Sequence, residues 1–154
     1  MIDFKEYISL RKVVHNDEKL IFNWVNDPEV RKWSFNKKLI LLDDHKIWFE
    51  KKILDPNLSM WIFEVNKSPM GLVRLEKDND DIVLHYLLAP QARGKGFASK
   101  MLKMAVKEIK SYRQKIKVFA YTLPGNIASI KSLKKAGFSC VRSNNEKNSY
   151  VYII

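Results

Sequence analysis

The sequence predicts an α/β (α+β) domain: one mixed β-sheet of about seven strands flanked by about four helices. Three observations predict it. Three short apolar runs, Met60–Val65, Met70–Glu76 and Asp81–Leu88, are separated by the turn stretches "NKSP" and "KDND", which reads as an antiparallel meander. A long amphipathic segment from about Lys95 to Lys110 then carries Phe97, Met101, Leu102, Ala105, Val106 and Ile109 at the spacing of one buried helical face. A strand at Ile116–Thr122 and a helix at Ile127–Ala136 follow, so antiparallel pairing gives way to a β-helix-β passage.

The remaining elements fill in around these. Ile8–Val14 reads as a strand and Asp17–Val25 as a helix, with Asn16 as a possible N-cap and Leu20, Ile21 and Trp24 on one face. "NDP" at Asn26–Pro28 interrupts the chain. Asp43 or Asp44 then caps a helix to about Leu54, with Ile47, Trp48 and Phe49 leaning inward. Gly137 is a left-handed helix stop, and "FSCVR" and "SYVYII" close the chain as two strands, the first read as buried.

A length of 154 residues and a composition 46% hydrophobic and 12% aromatic fit one globular domain spanning 1–154, with no repeat or linker. The net charge of +11 has two readings: base composition expressed as lysine, or a surface that gathers an anionic partner. There is no zinc-ligand spacing, so no metal is expected. There is no basic zipper and no aromatic RNA-binding strand, so nucleic acid is not the expected partner either. A single cysteine, Cys140, excludes an internal disulfide and fits a reducing compartment. No apolar run is long enough to span a bilayer, and "MIDFKEYISLRKVV" lacks a leader's apolar region. The expected location is the cytoplasm, away from membranes, as a monomer or homodimer.

The stretch "APQARGKGFASKMLKMA", Ala89 to Ala105, carries the first chemical signal. A strand runs through Gly94 and Gly96 straight into a helix. Without Cβ atoms, backbone N–H groups can close on an oxygen, and the helix's positive end adds to their pull. Arg93 and Lys95 bring full charges to the rim. A diphosphate is the natural occupant, against the plainer reading of a structural turn. The spacing does not fit G-x-x-x-x-G-K-[ST], and Ser99 stands where a dinucleotide-binding G-x-G-x-x-G would need its third glycine.

"QARGKGFA" resembles the pyrophosphate-binding turn R/Q-x-x-G-x-G/A of the GNAT superfamily of acetyl-CoA-dependent N-acetyltransferases, with Gln91, Gly94 and Gly96 in place. "NIASIKSLKKAGF" is similar to that family's N-x-x-[AS]…GF segment through Asn126, Ser129, Gly137 and Phe138. The resemblance spans nearly the whole chain and implies the GNAT fold, with a splay between the fourth and fifth strands where acetyl-CoA enters. It implies that backbone of Leu87 and Leu88 pairs with pantetheine. It implies that Arg93, Gly94, Lys95, Gly96, Phe97, Ala98 and Ser99 hold the pyrophosphate, and that Asn126 and Ser129 reach the cofactor. Asn126 also reads as a plain N-cap, and the two roles are compatible. Many relatives carry a tyrosine acid four residues before the glycine of the GF pair. Here Leu133 stands there, leaving Ser132, Ser129, Tyr121 or water as substitutes.

Direct attack by an amine on a thioester needs an oxyanion donor and a base. The implied donor is the backbone N–H of Leu87 or Leu88. Strand alternation puts Val83, His85 and Leu87 on one face, and Leu72, Arg74 and Glu76 on one face of the neighbouring strand. His85 is the first candidate base and Glu76 the second, with Arg74 a candidate anion ligand.

"FNWVNDPEVRKWSFNKKLILLDDHKIWFEKKI" is similar to a narrower branch that acetylates nucleotide-linked amino sugars, as in pseudaminic-acid-type pathways. That likeness implies an acceptor held by Arg31, Trp33, Phe35, His45, Trp48 and Arg74, with Val25 departing from an expected arginine. Aromatic planes and cations suit a base and its phosphates. Alternatives are an N-terminal acetyltransferase of peptides or ribosomal proteins and a non-catalytic CoA-binding module.

Overall fold

The computed structural model describes residues 5–144 and 149–154; residues 1–4, part of the stretch read for a leader, and 145–148 lie outside it. Seven strands make one sheet: β1 (Ile8–Lys12), β2 (Leu58–Val65), β3 (Ser68–Asp78), β4 (Asp81–Leu88), β5 (Val118–Thr122), β6 (Ser139–Asn144) and β7 (Ser149–Ile153). Their order is β1-β2-β3-β4-β5-β7-β6. Among the described residues β4 and β5 are parallel and the other neighbours antiparallel. Among the described residues five helices flank it: α1 (Glu18–Val25), α2 (Pro28–Lys32), α3 (Leu42–Ile53), α4 (Phe97–Tyr112) and α5 (Ile127–Lys135). The predicted mixed sheet and its helices are therefore present, with α2 added.

The meander follows from its turns. Asn66 and Lys67 have φ of 52° and 67°, the doubly left-handed geometry of a tight two-residue hairpin, and Asn79 has φ 55° in the next turn. Strand alternation then sorts side chains into two cores. Trp61, Phe63, Val73, Leu75, Ile82 and Leu84 pack on α4 and α5. Ile62, Leu72 and Ala89 pack on Ile21 and Trp24 of α1 and Phe49 of α3. Each large apolar side chain so buried contributes about 1.5–3 kcal/mol.

Several boundaries differ from the sequence reading for identifiable reasons. α4 starts at Phe97 rather than Lys95 because Gly96, its N-cap, sits at φ 76°, which a right-handed helix cannot contain. α3 is capped at Leu41 without a side-chain bond, and Asp43 and Asp44 instead lie in the first turn, where they oppose the helix dipole. Its buried stripe runs through His45 and Phe49, so Ile47 points outward and is 71% exposed. Before α1, Asp17 rather than Asn16 organises the chain. Its carboxylate accepts Val14 N–H at 2.9 Å and both ends of the Arg11 guanidinium at 2.8 Å. Cys140 and Val141 are exposed on the edge strand β6, against the expectation of a buried strand.

Candidate functional site

β4 and β5 pair only at Ile82↔Val118, Val83↔Phe119 and Leu84↔Ala120. Beyond Leu84, β4 stays paired with β3 as far as Gly71↔Leu88, while Tyr121 and Thr122 pair with β7. The sheet therefore splits between His85–Leu88 and the end of β5. Hydrogen bonds fix which backbone groups face the split. Ile82 N–H donates to Lys117 O at 3.0 Å on the β5 side, and Ala89 N–H donates to Met70 O at 2.8 Å on the β3 side. Alternation turns the N–H and C=O groups of Tyr86 and Leu88 into the split and those of Leu87 toward β3. A Cβ on Gly71 would lie 2.8 Å from Leu87 O, as that orientation requires. Of the two leucines expected at the cofactor, Leu88 faces the gap and Leu87 does not; Tyr86 does.

The chain then makes one 3₁₀ turn, Pro90–Ala92, which leaves Gln91 exposed, and enters the glycine turn. Gly94 and Gly96 have φ of 74° and 76°, the left-handed region where a side chain is strained. A Cβ on Gly94 would meet nothing within 4 Å, and one on Gly96 would meet only Lys135 Nζ, at 4.0 Å. The glycines thus leave room beside the start of α4. Phe97, Ala98 and Ser99 are buried, so they offer backbone N–H groups rather than side chains, and the first N–H groups of α4 have no partner within the helix. Ser99 Oγ donates back to Gly96 O at 3.1 Å. A row of backbone donors at a helix start is chemistry that suits an anion.

The charges around it are arranged differently from the sequence reading. Lys95 is exposed at the turn, and Lys135, at the end of α5, is a second cation that no motif disclosed. Arg93 points away from the rim. Its Nη2 donates to Asp27 Oδ1 at 2.5 Å and to Leu88 O at 3.2 Å. Burial alone would raise the Asp27 pKa, but the Arg93 bond and the N–H groups of Val30 and Glu29 outweigh it and hold the carboxyl below its ordinary value. Asn126 caps α5, its side chain accepting Ser129 N–H at 3.1 Å. Ser129 Oγ and the Tyr86 hydroxyl lie 2.7 Å apart, and Leu133 is fully buried in the core.

On the opposite sheet face, Arg74 lies across from His85, Glu76 from Val83 and Leu72 from Leu87. Arg74 stands over the Trp48 ring, its guanidinium carbon 5.2 Å from the centroid, and burial lowers its pKa against the support of Glu76. Glu76 is bonded to the Lys52 ammonium, which is the main reason its carboxyl lies below its ordinary pKa. His85 is exposed on this face, beside the split. A groove lined by Asp78, Asn79, Asp81, Val83, Phe119 and Tyr121 continues the face toward the β3–β4 turn.

The other residues expected at the acceptor separate into two groups. His45 is a core residue: it is 2% exposed, its Nε2 lies 3.2 Å from Glu18 O, and Phe22, Trp48 and Phe49 surround its ring. Desolvation lowers its pKa. Arg31 braces the chain after α2, with Nη1 donating to Asn36 O at 3.0 Å and Lys38 O at 3.3 Å. Trp33 Nε1 donates to Glu29 at 2.9 Å, and the ring edge lies against the β5–α5 loop, 3.2 Å from where a Gly125 Cβ would stand. Phe35 is exposed nearby. The structure thus gathers Arg74, Trp48, Glu76 and His85 on one face and places Arg31 at the end of α2, with Trp33 and Phe35 in the chain that follows.

Among the described residues no group of three or more His, Cys, Asp or Glu is placed to hold a metal, and no helix is long and apolar enough to cross a membrane. A family model described as an acetyltransferase (GNAT) domain matches residues 8–139. No curated protein matches the chain. Among solved structures, a domain from Methanocaldococcus jannaschii superimposes with a TM-score of 0.85 at 24% identity, covering 97% of this chain and 99% of that one. A spermidine N-acetyltransferase from Vibrio cholerae in complex with CoA and spermine gives 0.82 at 20% identity, covering 95% and 92%. The aminoglycoside acetyltransferase AAC(6')-Ib in complex with coenzyme A gives 0.80 at 19% identity, covering 96% and 93%.

Proposed function

The chain belongs to the GNAT acetyltransferase family, and on that premise we propose that its acceptor is the amino group of a nucleotide-linked amino-deoxy sugar, acetylated by direct attack. Acetyl-CoA supplies the acetyl thioester. The chain's own residues do the rest. Backbone N–H groups from Gly94 to Ser99, with Lys95 and Lys135 beside them, hold the pyrophosphate. The N–H groups of Tyr86 and Leu88, facing the split, are placed to donate to charge that develops on the carbonyl oxygen. His85 takes the proton that the amine sheds. Glu76 is the weaker candidate base, since Lys52 keeps its carboxylate ionised and engaged.

The observation that carries the acceptor reading is Arg74 stacked over Trp48 beside His85. A planar cation on an aromatic plane offers both charge for a phosphate and a surface for a base. A second reading has its own observation: Asp78 and Asp81, with Phe119 and Tyr121, line the groove continuous with this face, which suits a polycationic amine such as the spermine of one structural relative. A thermal-shift comparison with acetyl-CoA, UDP- and TDP-linked amino sugars and spermidine separates them, because a ligand of the folded state raises Tm. A shift with spermidine and none with the sugar nucleotides overturns the first reading.

A further inference from the structure

The acyl transfer leaves negative charge on sulfur, and beside the split lies a half-buried hydroxyl pair suited to it. Tyr86 lies on the stretch of β4 that β5 does not cover, and Ser129 lies in the first turn of α5. Their oxygens are 2.7 Å apart, so this hydrogen bond joins the uncovered end of β4 to the first turn of α5. The Tyr86 ring packs with Leu88 and Ile130 against the larger core, on the sheet face opposite His85. Leu133, further along α5, is apolar and fully buried and can donate nothing.

We propose that the Tyr86 hydroxyl, oriented by Ser129, donates a hydrogen bond to the departing coenzyme A sulfur. The assignment rests on the acetyl-CoA-dependent reading of the site. The Ser129 hydroxyl donates to the phenol oxygen, which frees the phenol O–H for the sulfur. As the acceptor nitrogen bonds to the acetyl carbon, the C–S bond breaks with its electron pair left on sulfur, and the amine's surplus proton leaves through His85. Burial pushes the Tyr86 phenol up to about 12, whereas a thiol ordinarily titrates near 8.5. The phenol therefore keeps its proton and stabilises the thiolate by hydrogen bonding alone.

The test is a binding measurement. Titration calorimetry compares CoA with desulfo-CoA, which lacks the sulfur, at pH 7 and pH 9.5. A donor at the sulfur lowers the bound thiol's pKa, so CoA binding tightens as pH rises while desulfo-CoA corrects for every titration of the protein itself. We expect the CoA-to-desulfo-CoA affinity ratio to rise about tenfold across that range, to stay flat in Tyr86→Phe, and to rise only a few-fold in Ser129→Ala. Melting temperatures of the variants within a few degrees of the parent accompany that result. A flat ratio in the parent, or an undiminished rise in both variants, overturns the proposal while leaving the cofactor reading intact. Absence of binding by both ligands to the folded parent overturns the two together.

Discussion

Arg93 Nη2 lies 2.5 Å from Asp27 Oδ1, a contact between residues 66 positions apart that joins the glycine turn to the corner between α1 and α2. The same carboxylate caps α2 through Glu29 N–H and Val30 N–H, and the same guanidinium reaches Leu88 O at the lip of the split. One ion pair thus aligns a helix start, a strand end and a glycine turn.

Asp27→Asn keeps a cap acceptor but removes the charge opposite Arg93. The expected cost is about 1.5–3 kcal/mol of stability, read by urea unfolding, with a several-fold rise in KM for acetyl-CoA. Because the native carboxyl titrates below its unfolded value, its contribution is full above about pH 4 and disappears as pH falls further. The variant should therefore lose less stability between pH 5 and pH 3 than the parent.

Gly94→Ala meets open space, so its folding penalty is the left-handed backbone alone, about 1 kcal/mol. On the proposed pyrophosphate seat, the methyl group would intrude on the phosphates. CoA affinity by calorimetry should fall at least tenfold while Tm changes by only a few degrees. The double variant Gly94→Asp, Gly96→Asp should bind no CoA.

Replacing His85 by Ala should lower kcat by about 10²–10⁴ and leave CoA affinity unchanged, the mark of a lost base rather than a lost ligand contact. Glu76→Gln should have a far smaller effect on kcat, since its carboxylate is bonded to Lys52. A reversal of the two magnitudes would reassign the base.

Trp48→Ala and Arg74→Met each remove half of the stacked pair. Both should raise the acceptor's KM about tenfold or more, with KM for acetyl-CoA within twofold of the parent in steady-state kinetics. Equal losses for both substrates would place the pair in the scaffold.

His45 links the core to pH. Its native pKa is depressed by desolvation, so the unfolded chain binds its proton more readily. Its contribution to stability is complete above about 6.5 and is lost as pH drops below that value toward the native pKa. Thermal unfolding at pH 5 and pH 7 should show a smaller difference in a His45→Gln variant than in the parent.

The elements with strong periodicity are legible in the sequence alone. The meander, the α4 stripe from Phe97 to Ile109 and the glycine turn all follow from patterns within a short window. Contacts between distant segments are not. The sequence places His45 at the acceptor because nothing local reveals that Phe22 and Phe49 enclose it. Arg93 read as a rim charge until Asp27 appeared beside it, and Lys135 carried no signal until α5 brought it to Gly96. Tyr86 carries no sequence signal for a similar reason, since alternation assigns its face but not the serine of α5 beside it. Pairing orientation decided the Leu87 and Leu88 question, and that requires knowing where each strand's partner ends.

Trp33 leans on the loop at Gly125 while Asp27 grips Arg93, so the short segment joining α1 to α3 is fastened both to the β5–α5 loop and to the glycine turn. A specificity graft cannot treat that segment as an interchangeable cassette. Swapping in a relative's version for a new acceptor would have to import matching anchors on both flanks, or the chimera would forfeit its hold on acetyl-CoA along with its old substrate.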